Sequence, residues 1–186
     1  PMLRRAFALN GRVRSARVYV TSLGLYELHL NGRRVGDDFF MPGWTSYGKR
    51  IQYQTYDVTN LLARGENVVG AILGDGWYRG YLGFSQRKND YGTRVALLLQ
   101  MEIRYEDGRT VRVTSDGSWK CSTGPIVSSD IYRGESYDAR LERTGWDSAR
   151  YDDREWHSVE IGDAYQAALV APESEPVRRT QEVKPV

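Results

Sequence analysis

The sequence predicts an all-β protein, an antiparallel β-sandwich or jelly roll without long helices. Aromatic residues make up 12% of its 186 residues, and 13 Tyr, 5 Trp and 19 Gly accompany short stretches in which apolar and polar residues alternate. Alternation with a period of two is typical of half-buried strands. Asn31-Gly32 and Asp107-Gly108 suit the positive φ angles of tight hairpin turns. Together these observations favour two antiparallel sheets packed face to face.

Nine stretches have strand character, and two local patterns can be assigned in more detail. Tyr26, Leu28 and Leu30 fall on one face of their strand, as expected beside a core. Thr59 is expected to cap one helical turn, which Gly65 ends. The stretches with strand character are residues 16–20, 25–30, 51–58, 67–73, 93–105, 110–114, 119–122, 132–137 and 156–161.

The chain is expected to form a single domain, because this length supports a core without a disulfide or metal. We assign the sandwich to residues 1–163, with its strands between about Ala6 and Ile161. Residues 164–186 are polar and contain prolines, which remove donors from a strand ladder. They are expected to be a linker toward the next domain of a longer parent chain.

Charge, hydropathy and cysteine content exclude several classes of protein. The net charge of +2 arises from 26 Lys and Arg against 24 Asp and Glu, and the basic residues are scattered, so nucleic acid is not an expected partner. The longest strongly apolar stretch, residues 95–99, is far shorter than the roughly 20 residues that cross a bilayer, so no membrane contact is expected. Cys121 is the only cysteine, which excludes an internal disulfide and leaves a cytoplasmic or exported location open.

No catalytic residue is assigned. The two histidines, His29 and His157, lie in alternating strand patterns, and the sequence has no Gly-x-Ser-x-Gly elbow or phosphate loop. The carboxylate pairs Asp37-Asp38 and Asp152-Asp153 are expected to cap turns. For the first pair, a calcium site with oxygen ligands is the alternative.

One aromatic, glycine-rich loop is the main candidate for binding. Asp75, Trp77, Tyr78 and Arg79 lie within residues 74–91, a loop too irregular for a strand or helix and too aromatic for a flexible linker. Sugars present C–H faces to aromatic rings and hydroxyls to carboxylates and guanidinium groups, so these residues suit carbohydrate. Trp44 is a second candidate. The alternative for all of them is inward packing that stiffens the loops.

Beyond these patterns, the sequence resembles one protein family, the N-terminal β-sandwich domain of bacterial α-L-rhamnosidases. The likeness covers nearly the whole chain. Single parts of it, such as the Asp-Asp-x-x-Trp turn, recur in many galactose-binding-like sandwiches, whereas the ordered set is specific to this family. The matching segments are ARVYVT (16–21), GLYELHLNG (24–32), PGWT (42–45), YQTYDVT (53–59), LGDGWYRG (73–80), SDIYRGESYDAR (129–140), GWD (145–147) and YDDREW (151–156).

The resemblance implies that this chain is part of a larger inverting glycosidase that releases terminal α-L-rhamnose from glycosides and polysaccharides. In that family the catalytic acids lie downstream in an (α/α)₆ barrel, so no catalytic residue is carried over and the chain alone is expected to be inactive. The implied partners are a rhamnose-containing glycoside or polysaccharide and the barrel of the same chain.

Two roles follow from the resemblance. The domain either contributes to carbohydrate recognition and the shape of the substrate site, or is purely structural and packs against the barrel without a ligand of its own. No cofactor is expected. Calcium stays an option, because some sandwich domains attached to these enzymes bind rhamnose through it, but no ligands are assigned in this sequence.

Overall fold

The computed structural model describes residues 1–83, 87–163 and 165–185, which form short strands with little helix. The helical segments are one α-turn, α1 (Gly76–Arg79), and 3₁₀ turns at Thr59–Leu61 and Ala139–Leu141. The strands are β1 (Met2–Leu9), β2 (Val13–Leu23), β3 (Leu25–Leu30), β4 (Arg33–Arg34), β5 (Asp38–Phe39), β6 (Arg50–Gln52), β7 (Gln54–Asp57), β8 (Gly65–Gly74), β9 (Ala96–Tyr105), β10 (Thr110–Thr114), β11 (Lys120–Ser122), β12 (Ile126–Asp130), β13 (Gly134–Tyr137), β14 (His157–Ser158), β15 (Ala168–Val170) and β16 (Val177–Arg178).

Two antiparallel sheets form the body of the fold, which confirms the predicted sandwich. The larger has six strands in the order β14-β11-β1-β8-β3-β4, and the smaller has four in the order β10-β9-β2-β7. β8 lies inside the larger sheet because its residues pair with β1 on one side and β3 on the other. Among the described residues, no helix is both long and apolar enough to cross a membrane.

The core lies between the two sheets and follows the alternation seen in the sequence. Tyr26, Leu28 and Leu30 all point inward from β3, with exposed fractions of 6%, 2% and 1%. Val18 and Ile103, from the facing sheet, are fully buried in the same cluster. Burying a side chain of this size contributes roughly 1.5–3 kcal/mol, so these strands account for much of the stability.

The hairpin turns form where the sequence predicted them. Asn31 and Gly32 join β3 to β4 with φ angles of +51° and +79°, the left-handed conformation that a type I′ turn requires at both positions. Gly108 joins β9 to β10 with a φ of +87°. A residue with a Cβ atom is strained at such an angle, so glycine here specifies the turn locally.

Residues 74–91 and 132–137 differ most clearly from their predicted secondary structure. Residues 74–91 were expected to lack helix, but they begin with α1, closed by hydrogen bonds from Arg79 N to Asp75 O (3.1 Å) and from Gly80 N to Gly76 O (3.1 Å). Phe84, within the same predicted loop, lies outside the described residues.

The second difference concerns residues 132–137, which were predicted as one strand. They instead contain the turn and second strand of the β12–β13 hairpin. The reason is the side chain of Asp130, whose Oδ1 accepts hydrogen bonds from the backbone N–H groups of Tyr132 (2.9 Å) and Arg133 (3.0 Å). Such an Asx turn competes with an extended strand.

A second small core covers the outer face of the larger sheet. It contains Met2, Trp146 and Trp156, and the buried Arg4 lies beside it. The Arg4 guanidinium donates to the carbonyls of Trp146 (2.9 Å) and Ser148 (3.0 Å) and forms an ion pair with Asp153. The Asp-Asp-x-x-Trp turn is thereby attached to β1.

The C-terminal segment forms two short pairings along the edge of the fold. β15 pairs in parallel with β6, and β16 pairs antiparallel with β5. Arg178 of β16 forms ion pairs of 3.1 Å with both Asp37 and Asp38, so this predicted turn-capping pair contacts the C-terminal segment. The domain division at residue 163 stays a prediction, and Ala164 and Val186 lie outside the described residues.

Deleting residues 172–186 is expected to change stability little. The deletion removes β16, whose two residues are exposed, and ion pairs that involve exposed side chains contribute about 0–1 kcal/mol. We therefore expect the melting temperature of the chain to fall by no more than about 4 °C, measured by circular dichroism. A loss of 8 °C or more would place this segment within the cooperative domain.

Candidate functional site

The candidate residue Trp77 lies on α1, at the point where β8 leaves the larger sheet. Gly76 has a φ of +53°, and a Cβ atom there would lie 2.5 Å from Leu25 Cγ. Only glycine therefore allows the chain to turn this closely over β3. The turn sets Trp77 at the end of the sandwich in a half-buried position.

Trp44 approaches the same end of the sandwich from a separate loop. The loop is held by hydrogen bonds from Gly43 N to Phe40 O (2.9 Å) and from Tyr47 Oη to Gly43 O (2.9 Å). Phe40 has a φ of +59°, a left-handed conformation that costs a residue with a side chain roughly 1–2 kcal/mol. Strain of this kind clusters at functional sites, and here it accompanies an exposed aromatic ring.

Phe40, Trp44 and Trp77 together form a surface that we call the aromatic platform. The rings of Trp44 and Trp77 are nearly parallel, with centroids 6.0 Å apart and 5° between their planes. Phe40 meets Trp77 edge-on at 6.2 Å. Trp44 is 52% exposed and Phe40 49% exposed. The platform is therefore an apolar surface that solvent reaches.

A layer of tyrosines supports the platform from below. Tyr47 is fully buried and meets Tyr78 at 5.3 Å and Tyr91 at 5.0 Å, both edge-on. Tyr91 Oη also accepts a hydrogen bond of 3.3 Å from Trp44 Nε1. Burial, with a smaller contribution from Tyr165, raises the pKa of Tyr78 to about 12. Tyr78 is 5% exposed and packs beneath Trp77, outside the exposed surface of the platform.

Asp75 and Arg79 contact each other rather than the rings. Arg79 Nε donates to Asp75 Oδ1 at 2.7 Å, Arg79 Nη2 contacts the same oxygen, and Nη1 reaches the carbonyl of Thr93 at 3.5 Å. Residues in a helix advance about 100° each, so Trp77 lies on the side of α1 opposite this pair. Asp75, Trp77 and Arg79, all candidates from the sequence, therefore do not form one surface.

Asp130 attaches the loop that follows α1 to the β12–β13 hairpin. Its Oδ2 accepts the backbone N–H of Tyr81 at 2.8 Å, just after α1. Burial opposes the ionisation of Asp130, but the backbone donors of Tyr81, Tyr132 and Arg133 outweigh it and lower its pKa. A charged Asp130 therefore holds two loops together at neutral pH.

Sequence reasoning identified Trp44 and Trp77 but missed Phe40 and the contact between the two tryptophans. The only available signal for Phe40 was its position just before the turn that carries Trp44. Of the histidines, His29 Nδ1 lies 2.7 Å from Asp147 Oδ2, which accepts a hydrogen bond from it, and His157 is exposed in β14. Among the described residues, no three His, Cys, Asp or Glu side chains lie close enough to hold a metal ion.

One protein-family model matches most of the chain. Residues 11–181 match the model of the α-L-rhamnosidase N-terminal domain. The chain belongs to this family. The resemblance inferred from the sequence segments is thereby confirmed.

Curated α-L-rhamnosidases match nearly the whole chain. The Streptomyces avermitilis enzyme is 49% identical over 183 residues, which are 97% of this chain and 18% of that protein. The enzyme of Alteromonas sp. is 38% identical over 187 residues, 99% of this chain and 20% of that protein. This rhamnosidase N-terminal domain therefore spans about a fifth of the length of these relatives.

Solved structures agree with this assignment. The crystal structure of S. avermitilis α-L-rhamnosidase complexed with L-rhamnose has a TM-score of 0.92 at 48% identity, covering 97% of this chain and 18% of that one. The native α-L-rhamnosidase from Aspergillus terreus also has a TM-score of 0.92, at 43% identity, covering 97% and 21%. A Pleurotus ostreatus lectin, at 19% identity and a TM-score of 0.56, shares the fold alone.

Proposed function

We propose that this rhamnosidase N-terminal domain contributes to carbohydrate recognition in a longer enzyme that hydrolyses terminal α-L-rhamnosides. The observation that carries the proposal is the aromatic platform, on which Trp44 and Phe40 are about half exposed although hydrogen bonds and a strained φ angle fix their loop. Large exposed rings held in a fixed orientation favour contact with a ligand or another surface.

The chemistry of the platform suits a rhamnose-containing glycoside. A deoxy sugar presents C–H groups and a methyl group, which pack against the faces of aromatic rings. Fixed rings lose little conformational freedom on binding, so more of the contact energy remains as affinity. The proposal includes no cofactor, because ring stacking needs none. A titration of the chain with L-rhamnose, with calcium and with a chelator, tests this part.

The alternative function is structural packing against the remaining domains of the same chain. It is favoured by the length of the relatives, of which this chain covers about a fifth, so other domains are available to cover the platform. In the packing alternative the rings stabilise the whole enzyme and leave substrate affinity unchanged.

Trp44→Ala separates the two functions. If the platform binds substrate, the variant of the full-length enzyme is expected to raise KM by roughly fivefold to tenfold, the equivalent of one lost aromatic contact of about 1 kcal/mol. The melting temperature of the isolated chain should change by no more than about 3 °C, because Trp44 is 52% exposed.

The matched control is Leu98→Ala, which removes an equally exposed apolar side chain (52%) from β9 of the four-stranded sheet. It should leave KM unchanged. Steady-state kinetics on an oligosaccharide with terminal α-L-rhamnose provides the measurement. An unchanged KM for Trp44→Ala, together with a lower melting temperature of the full-length enzyme only, would reject recognition and favour packing.

A further inference from the structure

A separate cleft lies on the outer face of the six-stranded sheet, against the small core of Met2 and Trp146. It has a volume of about 370 Å³ and lies between the β12–β13 hairpin and the turn of residues 142–147. We call it the Trp146 cleft. Its volume falls at the lower end of the roughly 300–1,000 Å³ of small-molecule sites, a size for one sugar ring.

The aromatic wall of the cleft is rigidly placed. The Trp146 ring packs over Gly70, where an added Cβ atom would lie 2.4 Å from Trp146 Cζ3. The ring centroid lies 5.2 Å from that of His29. The backbone of the turn is held by hydrogen bonds from Arg4 Nε to Trp146 O (2.9 Å) and from Gly32 N to Asp147 O (2.8 Å). The wall is therefore preformed.

Three charged side chains line the cleft, and each is oriented by one hydrogen bond. Glu142 Oε1 accepts from the Tyr137 hydroxyl at 2.8 Å, and Asp147 Oδ2 lies 2.7 Å from His29 Nδ1. Arg143 Nε donates to the carbonyl of Thr123 at 2.7 Å. These bonds fix the carboxylates and the guanidinium where they can meet a ligand's hydroxyl groups.

From this arrangement we infer that the Trp146 cleft binds one neutral monosaccharide unit, at a site distinct from the aromatic platform. Carboxylates accept hydrogen bonds from sugar hydroxyls, the guanidinium donates to them, and the exposed ring of Tyr137 packs against C–H groups above the nearly buried Trp146. Two carboxylates, one guanidinium and the N-terminus of Pro1 line the cleft, so it offers no excess of positive charge to an anionic sugar. A neutral ring fits both the size and the charge.

Nuclear magnetic resonance of the ¹⁵N-labelled chain tests the inference, because the indole N–H signals of Trp146 and of Trp44 and Trp77 report separately on the cleft and the platform. The probes are L-rhamnose, D-galactose and D-glucose, each titrated to high millimolar concentration, with D-glucuronate as the anionic comparison. The Trp146 indole and the Gly145 amide are expected to shift saturably with at least one neutral sugar. Those shifts should persist in Trp44→Ala.

Two variants test the polar and aromatic contacts. Glu142→Gln and Tyr137→Ala change exposed side chains, so the fold should be kept. Each variant is expected to lower the affinity of the cleft for the neutral sugar by at least fivefold. The matched control Glu135→Gln changes an exposed carboxylate on β13 of the same hairpin and should leave affinity unchanged.

The inference is overturned if none of the three neutral sugars shifts the Trp146 and Gly145 signals, or if D-glucuronate binds there as tightly as a neutral sugar. It is also overturned if Glu142→Gln and Tyr137→Ala leave the affinity at the cleft unchanged. Shifts confined to Trp44 and Trp77 would support the proposed function and reject this second site. Shifts confined to Trp146 and Gly145 would support the cleft as a sugar site and count against sugar binding at the aromatic platform.

Discussion

Arg4→Met is expected to lower the free energy of unfolding of the chain by about 3 kcal/mol, the lower end of the range for removing one partner of a buried ion pair. The Arg4 side chain is 2% exposed, and the change leaves the carbonyls of Trp146 and Ser148 without a donor that now reaches both. Lys120 Nζ still contacts Asp153 Oδ1 at 2.7 Å, which keeps the loss at this lower end.

Urea denaturation followed by tryptophan fluorescence measures this loss, and in a separate thermal melt the melting temperature is expected to fall by about 6–12 °C. The neighbouring Arg5→Met is the matched control. Arg5 pairs with Asp116 at 2.9 Å, but that carboxylate side chain is 46% exposed, so its loss should cost no more than about 1 kcal/mol. Equal losses of unfolding free energy in the two variants would show that burial of Arg4 does not determine its contribution to stability.

Leu28→Ala is expected to cost about 2–5 kcal/mol, because the variant leaves a cavity between the two sheets. Leu28 is 2% exposed and belongs to the main core cluster. That cluster combines residues of both sheets, so the space can close only if a strand moves. The same denaturation experiment measures the loss.

Leu98→Ala makes the same chemical change on β9, where the side chain is 52% exposed. It should alter the free energy of unfolding by no more than about 0.5 kcal/mol. A cost below 1 kcal/mol for Leu28→Ala would mean that the two sheets are loosely packed at this position, and would contradict the close core described above.

The aromatic platform shows how far the sequence leads toward the site. Trp44 and Trp77 could be singled out because large rings beside glycines in a long loop are unusual outside a core or a binding surface. Their contact could not be predicted, since 33 positions separate them and the two loops meet only after β3 and β8 have paired. The same pairing places Tyr78 at 5% exposure, although its neighbour in sequence is half-buried.

Features that depend on a few adjacent residues could be predicted from the amino-acid sequence. These are the inward face of β3, the Asn31-Gly32 turn and the strand-rich class, because side-chain alternation and positive φ angles are properties of the local backbone. The prediction of one strand over residues 132–137 was wrong, because hydrogen bonds to the side chain of Asp130 bend the chain there.

The contacts between distant polar groups depend on how the strands and turns pack. Arg4 and Asp153 are 149 positions apart, and His29 and Asp147 are 118 apart, yet both pairs lie on the outer face of one sheet. Alternation shows which side of a strand a residue occupies, but not which strand or turn covers that side. That choice depends on the order β14-β11-β1-β8-β3-β4, which arises from the joint burial of all the strands.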